Sequence, residues 1–170
     1  MDAETLRATQ APLKQRYRDE PGSARIAARA EAVISLDDIA CAVPGWRGEI
    51  VAGLHPAAGG DGSLACSADL LLQALVACAG VTLRAVATAM GIELRGGRII
   101  AEGVWDARGT LGVDRSTPVG LTEIAVRFDL DTDADPEKLR RMIATVERYC
   151  VIFQTLRTPP AMSVALGSAV

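Results

Sequence analysis

The stretch Ser67-Ala68-Asp69-Leu70-Leu71-Leu72-Gln73-Ala74-Leu75-Val76-Ala77-Cys78-Ala79-Gly80-Val81-Thr82-Leu83-Arg84-Ala85-Val86-Ala87-Thr88-Ala89-Met90 decides the fold of this 170-residue chain. Ser67 is a suitable N-cap, and Asp69 in the first turn suits the positive end of a helix. Nothing breaks the pattern until Gly91, which reads as the residue just past the C-terminus. Such a helix is roughly 36 Å long at 1.5 Å per residue. It is apolar almost all round, as a helix at the centre of a protein or an interface is. Its polar residues, Asp69, Gln73, Arg84 and Thr88, fall within roughly 100° of one another. Cys78 lies away from that stripe, beside Ala74, Leu75, Val81 and Thr82, and so faces packing partners rather than open water. The most apolar part, Leu70 to Val81, is interrupted by Gln73 and soon followed by Arg84. That length suits a buried helix better than a membrane span.

Working outward, Ile92 to Asp106 reads as a strand pair or one long strand broken at Gly96-Gly97. Gly120 to Asp131 is a cleaner strand, with Ile124, Val126, Phe128 and Leu130 alternating with charged residues. Asp135-Pro136 opens a second helix, a cap followed by proline at the first helical position. Leu139, Met142, Ile143 and Val146 form its buried face, and Cys150 shares that face by phase. Phe153 and Leu156 continue it until Pro159-Pro160, and Met162 to Leu166 forms a last strand. Upstream, residues 1–20 read as a charged helix ended by Pro21-Gly22. Arg25 to Ile34 alternates as a half-buried strand, and strands follow at Ile39 to Val43 and Arg47 to Gly53. His55 to Ser63 is a loop. Strands, long helix, strands, helix and strand in that order make an α+β arrangement.

A chain of this length buries a real core in one domain. Aromatic residues are only 4%, so Ala, Val, Leu and Ile must build that core. A net charge of -3 argues against nucleic acid as a partner, because phosphate contacts need a basic face. The polar start Met1-Asp2-Ala3-Glu4 has no apolar segment behind it, so no secretory signal is expected. That reading places the protein in the cytoplasm, away from membranes. Cys41, Cys66, Cys78 and Cys150 are then thiols or redox centres rather than permanent staples.

Several familiar chemistries are excluded or disfavoured. The single histidine, His55, and the absence of cysteine pairs at finger spacing argue against a metal site. The glycines from Gly59 to Gly62 are not followed by Lys-Ser or Lys-Thr, so no phosphate loop is present and no cofactor is expected. No Gly-x-Ser-x-Gly elbow occurs. His55 reads as a loop residue with a local hydrogen bond. Thiols remain. A cysteine on an apolar helix face is by default a small hydrophobe. Two of them on the buried faces of two helices allow both sulfurs to meet at one spot. A reactive thiol also needs help to ionise. Cys78 is three turns from its helix start, so the expected helper is an arginine from elsewhere.

The run from Ser67 to Leu83 resembles the central-helix signature of the OsmC/Ohr family, named for osmotically inducible protein C and organic hydroperoxide resistance protein. Glu147-Arg148-Tyr149-Cys150-Val151 resembles that family's second cysteine site. The order of strands follows the family, so the resemblance spans about residues 24–167, with residues 1–22 a helical extension ahead of an OsmC-like domain at 23–170. The resemblance implies an intertwined homodimer, with antiparallel sheets wrapped around two long central helices. It also implies a thiol peroxidase. Cys78 attacks the O–O bond of an organic hydroperoxide, Cys150 resolves the sulfenic acid as a disulfide, and a dithiol such as a lipoylated protein reduces the pair.

Three positions depart from the family pattern. Ala68 stands where a glutamate is usual, with Asp69 next door as the candidate orienting acid. The candidate activating cation is Arg47, in an imperfect Trp46-Arg47-Gly48 motif, and Arg29 is its rival. Val151 stands where a proline commonly follows the second cysteine, which would let the helix run on. A second function is therefore kept: the fold without efficient peroxidase activity, binding a small apolar ligand or acting as a redox sensor. Disulfide exchange with protein partners is disfavoured because no Cys-x-x-Cys exists. Cys66 is a bystander or an alternative resolving thiol, and Cys41 has no assigned role.

Overall fold

A computed structural model describes residues 1–45 and 47–167. Trp46 and the last three residues lie outside them. The N-terminal helix α1 spans Ala3–Asp19, capped by the Asp2 side chain accepting from the Thr5 amide. Strands β1 (Val33–Ile34), β2 (Ala40–Gly45) and β3 (Gly48–Gly53) form an antiparallel sheet in that order. The central helix α2 spans Ser67–Met90. It is followed by β4 (Gly96–Val104), the short α3 (Ala107–Thr110) and β5 (Glu123–Asp131). Helix α4 (Pro136–Tyr149) and helix α5 (Val151–Arg157) complete the folded part.

The long helix is where its sequence puts it, with two local corrections. Gly91 adopts φ 62° as the residue that ends it, the left-handed conformation that glycine reaches without steric cost. The N-cap, however, is Cys66 rather than Ser67, and no side chain caps it. The strand expected from Ile92 begins only at Gly96, so Gly96-Gly97 starts the strand instead of breaking it. β4 and β5 pair antiparallel from Gly96 opposite Asp131 to Val104 opposite Glu123.

Helix α2 packs on β4, α4, α5 and α1. Its buried residues are Leu75, Ala79, Leu83 and Ala87, spaced four apart along a single stripe. Leu83 and Ala87 join Ile92, Met142 and Val146 in one cluster, while Leu75 and Ala79 join Cys150 in another. The second cluster, closed by Val126, Phe128 and Phe153, is the packing that surrounds the thiols.

Two expected strands are absent. From Arg25 to Ile34 only Val33 and Ile34 pair, and Met162 to Leu166 forms no strand. Both segments are exposed, with Ile26 at 78% and Leu166 fully so. An alternating apolar pattern becomes a strand only where a neighbouring strand and a core face receive it, and within one chain only Val33 and Ile34 find such a neighbour, in β2.

Candidate active site

The site is made where α4 gives way to α5. Helix α4 starts as its sequence directs, the Asp135 carboxylate accepting from the Glu137 and Lys138 amides, with Pro136 next. Its apolar face buries Met142 and Val146, which carries Cys150 into the core at 1% exposure. There the helix stops. Cys150 donates its backbone N–H to Val146 O at 2.9 Å, but its φ of −74° and ψ of 109° are extended. The chain resumes as α5 from Val151, so the expectation of one continuous helix is corrected.

The break has a chemical consequence. In an unbroken helix the amides of Val151, Ile152 and Phe153 would bond the carbonyls four residues back, at Glu147, Arg148 and Tyr149. Instead, the Val151, Ile152 and Phe153 amides make no helical bond and open the first turn of α5 beside the thiols, where Ile152 and Val151 favour the Cys78 thiolate. The Phe153 and Ile152 amides favour the Cys150 thiolate in the same way. Cys78 and Cys150 lie in the same buried cluster and influence each other's ionisation, and Thr82, one turn after Cys78 on α2, adds its hydroxyl to the groups that lower Cys78. Two cysteines 72 positions apart in the chain (150 − 78) thus share one set of backbone donors.

These contacts push the two thiols in opposite directions. Burial raises Cys78, but the hydrogen bonds from Ile152, Cys150, Val151 and Thr82 outweigh it, so this thiol ionises below the ordinary value. For Cys150 burial again raises the value, and the Phe153 and Ile152 amides only partly offset it. The hydrogen bond to Cys78 and that sulfur's negative charge raise it further. Of the pair, Cys78 is therefore the thiol that gives up its proton more readily, and Cys150 the one that holds it. Help in ionisation was expected from an arginine; the largest lowering contribution comes from a backbone amide. Backbone donors carry no residue-type signature, so the sequence held no direct mark of them.

The other expected site residues stand elsewhere. Asp69 is exposed in the first turn of α2, roughly 13 Å along the helix axis from Cys78. Arg47 is exposed in the tight turn between β2 and β3, beside Trp46, which lies outside the described residues. Neither is among the groups that act most strongly on Cys78. Arg29 is exposed and paired with Glu31 at 2.5 Å. His55 keeps a local role: its Nδ1 accepts from the Ala57 amide at 3.0 Å, and its ring meets Trp105 edge-on. Cys41 and Cys66 are half-buried free thiols on β2 and at the start of α2. A cavity of about 300 Å³ reaches Cys150 between Ala79, Val126, Phe128, Val146 and Phe153, walls that suit an apolar molecule.

The description "OsmC-like protein" belongs to the family whose pattern matches residues 60–165, well over half of the chain. Solved structures share the fold. An OsmC-like protein from Mycoplasma pneumoniae is 19% identical with a TM-score of 0.66, covering 79% of this chain and 89% of its own. An organic hydroperoxide resistance protein from Elizabethkingia anophelis is 14% identical with a TM-score of 0.63, covering 79% and 92%. One described as an organic hydroperoxide resistance protein and predicted redox protein, from Legionella pneumophila, is 15% identical with a TM-score of 0.58, covering 79% and 93%. No curated protein matches the sequence.

Proposed function

Because the chain belongs to the OsmC-like protein family, we propose that it is a thiol peroxidase that reduces organic hydroperoxides through Cys78 and Cys150. The observation that carries this reading is that Cys78 and Cys150 pack in one buried cluster at the open first turn of α5, one thiol lowered and the other raised. A peroxidase needs that division of labour. The Cys78 thiolate attacks one oxygen of the hydroperoxide, the O–O bond breaks, and the leaving alkoxide takes a proton to become an alcohol. Cys78 is then a sulfenic acid. The Cys150 sulfur attacks it, a disulfide forms, and the hydroxyl leaves as water with the Cys150 proton. A dithiol reductant returns both thiols and is itself oxidised to a disulfide. The cytoplasm, where dithiols stay reduced, suits this cycle.

The functional unit of this reading is a homodimer. Helix α2 exposes Ala74, Ala77 and Val81, the last at 74%. Ile26, Met162 and Val164 are also open on segments that form no strand. Apolar surface of this extent marks an interaction face, and a second copy would supply the missing strand neighbours. The roles of Arg47 as activating cation and Asp69 as its orienting acid rest on the sequence resemblance, and the sulfur pair is assembled without them.

The test is peroxide-dependent disulfide formation. Reduced protein is treated with stoichiometric cumene hydroperoxide and its cross-linked peptides are mapped by mass spectrometry. The expected product is a Cys78–Cys150 bond within one chain, absent in Cys78→Ser. Thiols that stay reduced, or a Cys78 that proceeds to irreversible acids without a partner, would end the peroxidase reading and favour the apolar-ligand alternative.

A further inference from the structure

The break at Cys150 has no cause in the local sequence. From Thr145 to Thr158 there is neither proline nor glycine. Val151, Ile152 and Phe153 are less favourable in a helix than alanine by only about 0.7 kcal/mol each at most, and an unbroken helix would recover three backbone hydrogen bonds. The break therefore depends on tertiary contacts: the packing of Ile152, Phe153 and Leu156 against α2, and the contacts that cross the break.

Two side-chain contacts do so. The Gln154 Nε2 donates to the carbonyl of Glu147 at 2.8 Å, and Arg157 pairs with the Glu147 carboxylate. They are not equal. The ion pair is solvent-exposed on both sides, at 61% and 41%, and such pairs contribute little. The Gln154 bond is part-buried. It also ends on the acceptor that Val151 would use if the helix continued. Gln154 thus takes one of the two lone pairs on the acceptor that the first hydrogen bond of the unbroken helix would use. While it holds that carbonyl, the Val151 amide bonds no backbone carbonyl, and Gln154 N bonds Cys150 O at 3.0 Å as part of α5.

We propose that Gln154 is a positioning residue for the thiol pair: by occupying the Glu147 carbonyl it holds the α4–α5 break open and keeps the Val151, Ile152 and Phe153 amides aimed at the two sulfurs. Its importance to turnover rests on the peroxidase reading. Its effect on the Cys78 sulfur does not, because thiol reactivity is measured without peroxide.

The experiment follows Cys78 alkylation by iodoacetamide against pH in the full-length protein, with Cys78 identified by peptide mapping. Gln154→Met keeps the length of the side chain and removes the donor. At pH 7 the Cys78 rate is expected to fall about three- to tenfold, since one unit of pKa is about a tenfold change in thiolate fraction. Arg157→Ala is expected to stay within about twofold of wild type, as an exposed pair should. A second arm adds Val151→Pro. Proline has no amide with which to continue the helix, and it confines the preceding Cys150 to the extended region it already occupies. Gln154→Met with Val151→Pro should match Val151→Pro alone, so that Gln154 no longer matters once proline enforces the break. A Gln154→Met profile that overlays wild type overturns the proposal. So does a loss in Gln154→Met that persists undiminished on the Val151→Pro background. Should the proline variants fail to fold, the contrast between Gln154→Met and Arg157→Ala decides the matter alone. Absence of a peroxide-dependent disulfide in wild type would instead count against the peroxidase reading.

Discussion

Ile152, in the first turn of α5, and Cys78, in the middle of α2, pack against the same buried cluster, and the Ile152 amide is the strongest influence lowering the Cys78 thiol. A thiolate three turns inside its own helix gains little from that helix's N-terminus, and here it draws on the first turn of another. The sign of the pH dependence follows. Cys78 has its thiolate favoured, so its alkylation should rise with pH through a midpoint below that of an ordinary free thiol. Cys150, raised by burial and by the charge of Cys78, should remain unmodified through that range and react only at higher pH. Peptide-resolved alkylation at a series of pH values checks both. A Cys78 midpoint above that of a free thiol would contradict the hydrogen-bond assignment.

Cys150 donates to Cys78, so removing it should have two effects that separate its roles. In Cys150→Ala the Cys78 midpoint should shift upward, because a hydrogen bond that favours the thiolate is gone. After peroxide, the sulfenic acid on Cys78 should persist long enough to be trapped by dimedone, since no thiol is adjacent to condense with it. Cys150→Ser should keep more of the low midpoint, as a hydroxyl also donates, while still trapping the sulfenic acid. Equal dimedone labelling in wild type and both variants would remove Cys150 from the resolving role.

Much of this arrangement was legible in the sequence, for identifiable reasons. The apolar run from Leu70 with Gly91 after it, and the Asp135-Pro136 start, are local signals whose meaning does not depend on distant contacts. The phase of Cys150 on the Met142–Val146 face was likewise readable, and it brought the residue into the core. The strands read at 25–34 and 162–166 are overturned apart from Val33 and Ile34, because alternation shows which residues could face a core but not whether a neighbouring strand is there to pair with them. The break after Cys150 was not legible either. It depends on Gln154 reaching seven residues back to a backbone carbonyl, a contact that no residue pattern advertises.

The exposed apolar face of α2 gives a test of assembly. Val81 is 74% open within one chain, so Val81→Glu costs the isolated fold little, as surface substitutions usually do. If a second copy covers this face, the change buries an unpaired carboxylate at the contact, which is strongly unfavourable. Light scattering coupled to size exclusion should find a dimer for wild type and a shift toward the monomer mass for Val81→Glu. A wild-type protein that elutes as a monomer at all concentrations would remove the homodimer from the proposed function.

The two core clusters allow stability to be separated from thiol chemistry. Met142 is fully buried against Leu83 and Ala87, whereas Leu75 is equally buried against Ala79 and Cys150. Truncating either to alanine leaves a cavity in a packed core and should cost about 2–5 kcal/mol in chemical denaturation. Their effects on Cys78 should differ. Leu75→Ala loosens the packing that presses α5 against α2, so the amide of Ile152 loses its fixed approach to the sulfur and the Cys78 midpoint should rise. Met142→Ala removes support one cluster away and should leave that midpoint in place. If both variants lose stability and shift Cys78 alike, the sulfur site senses only the global fold, and the local account of its activation by the α5 amides is wrong.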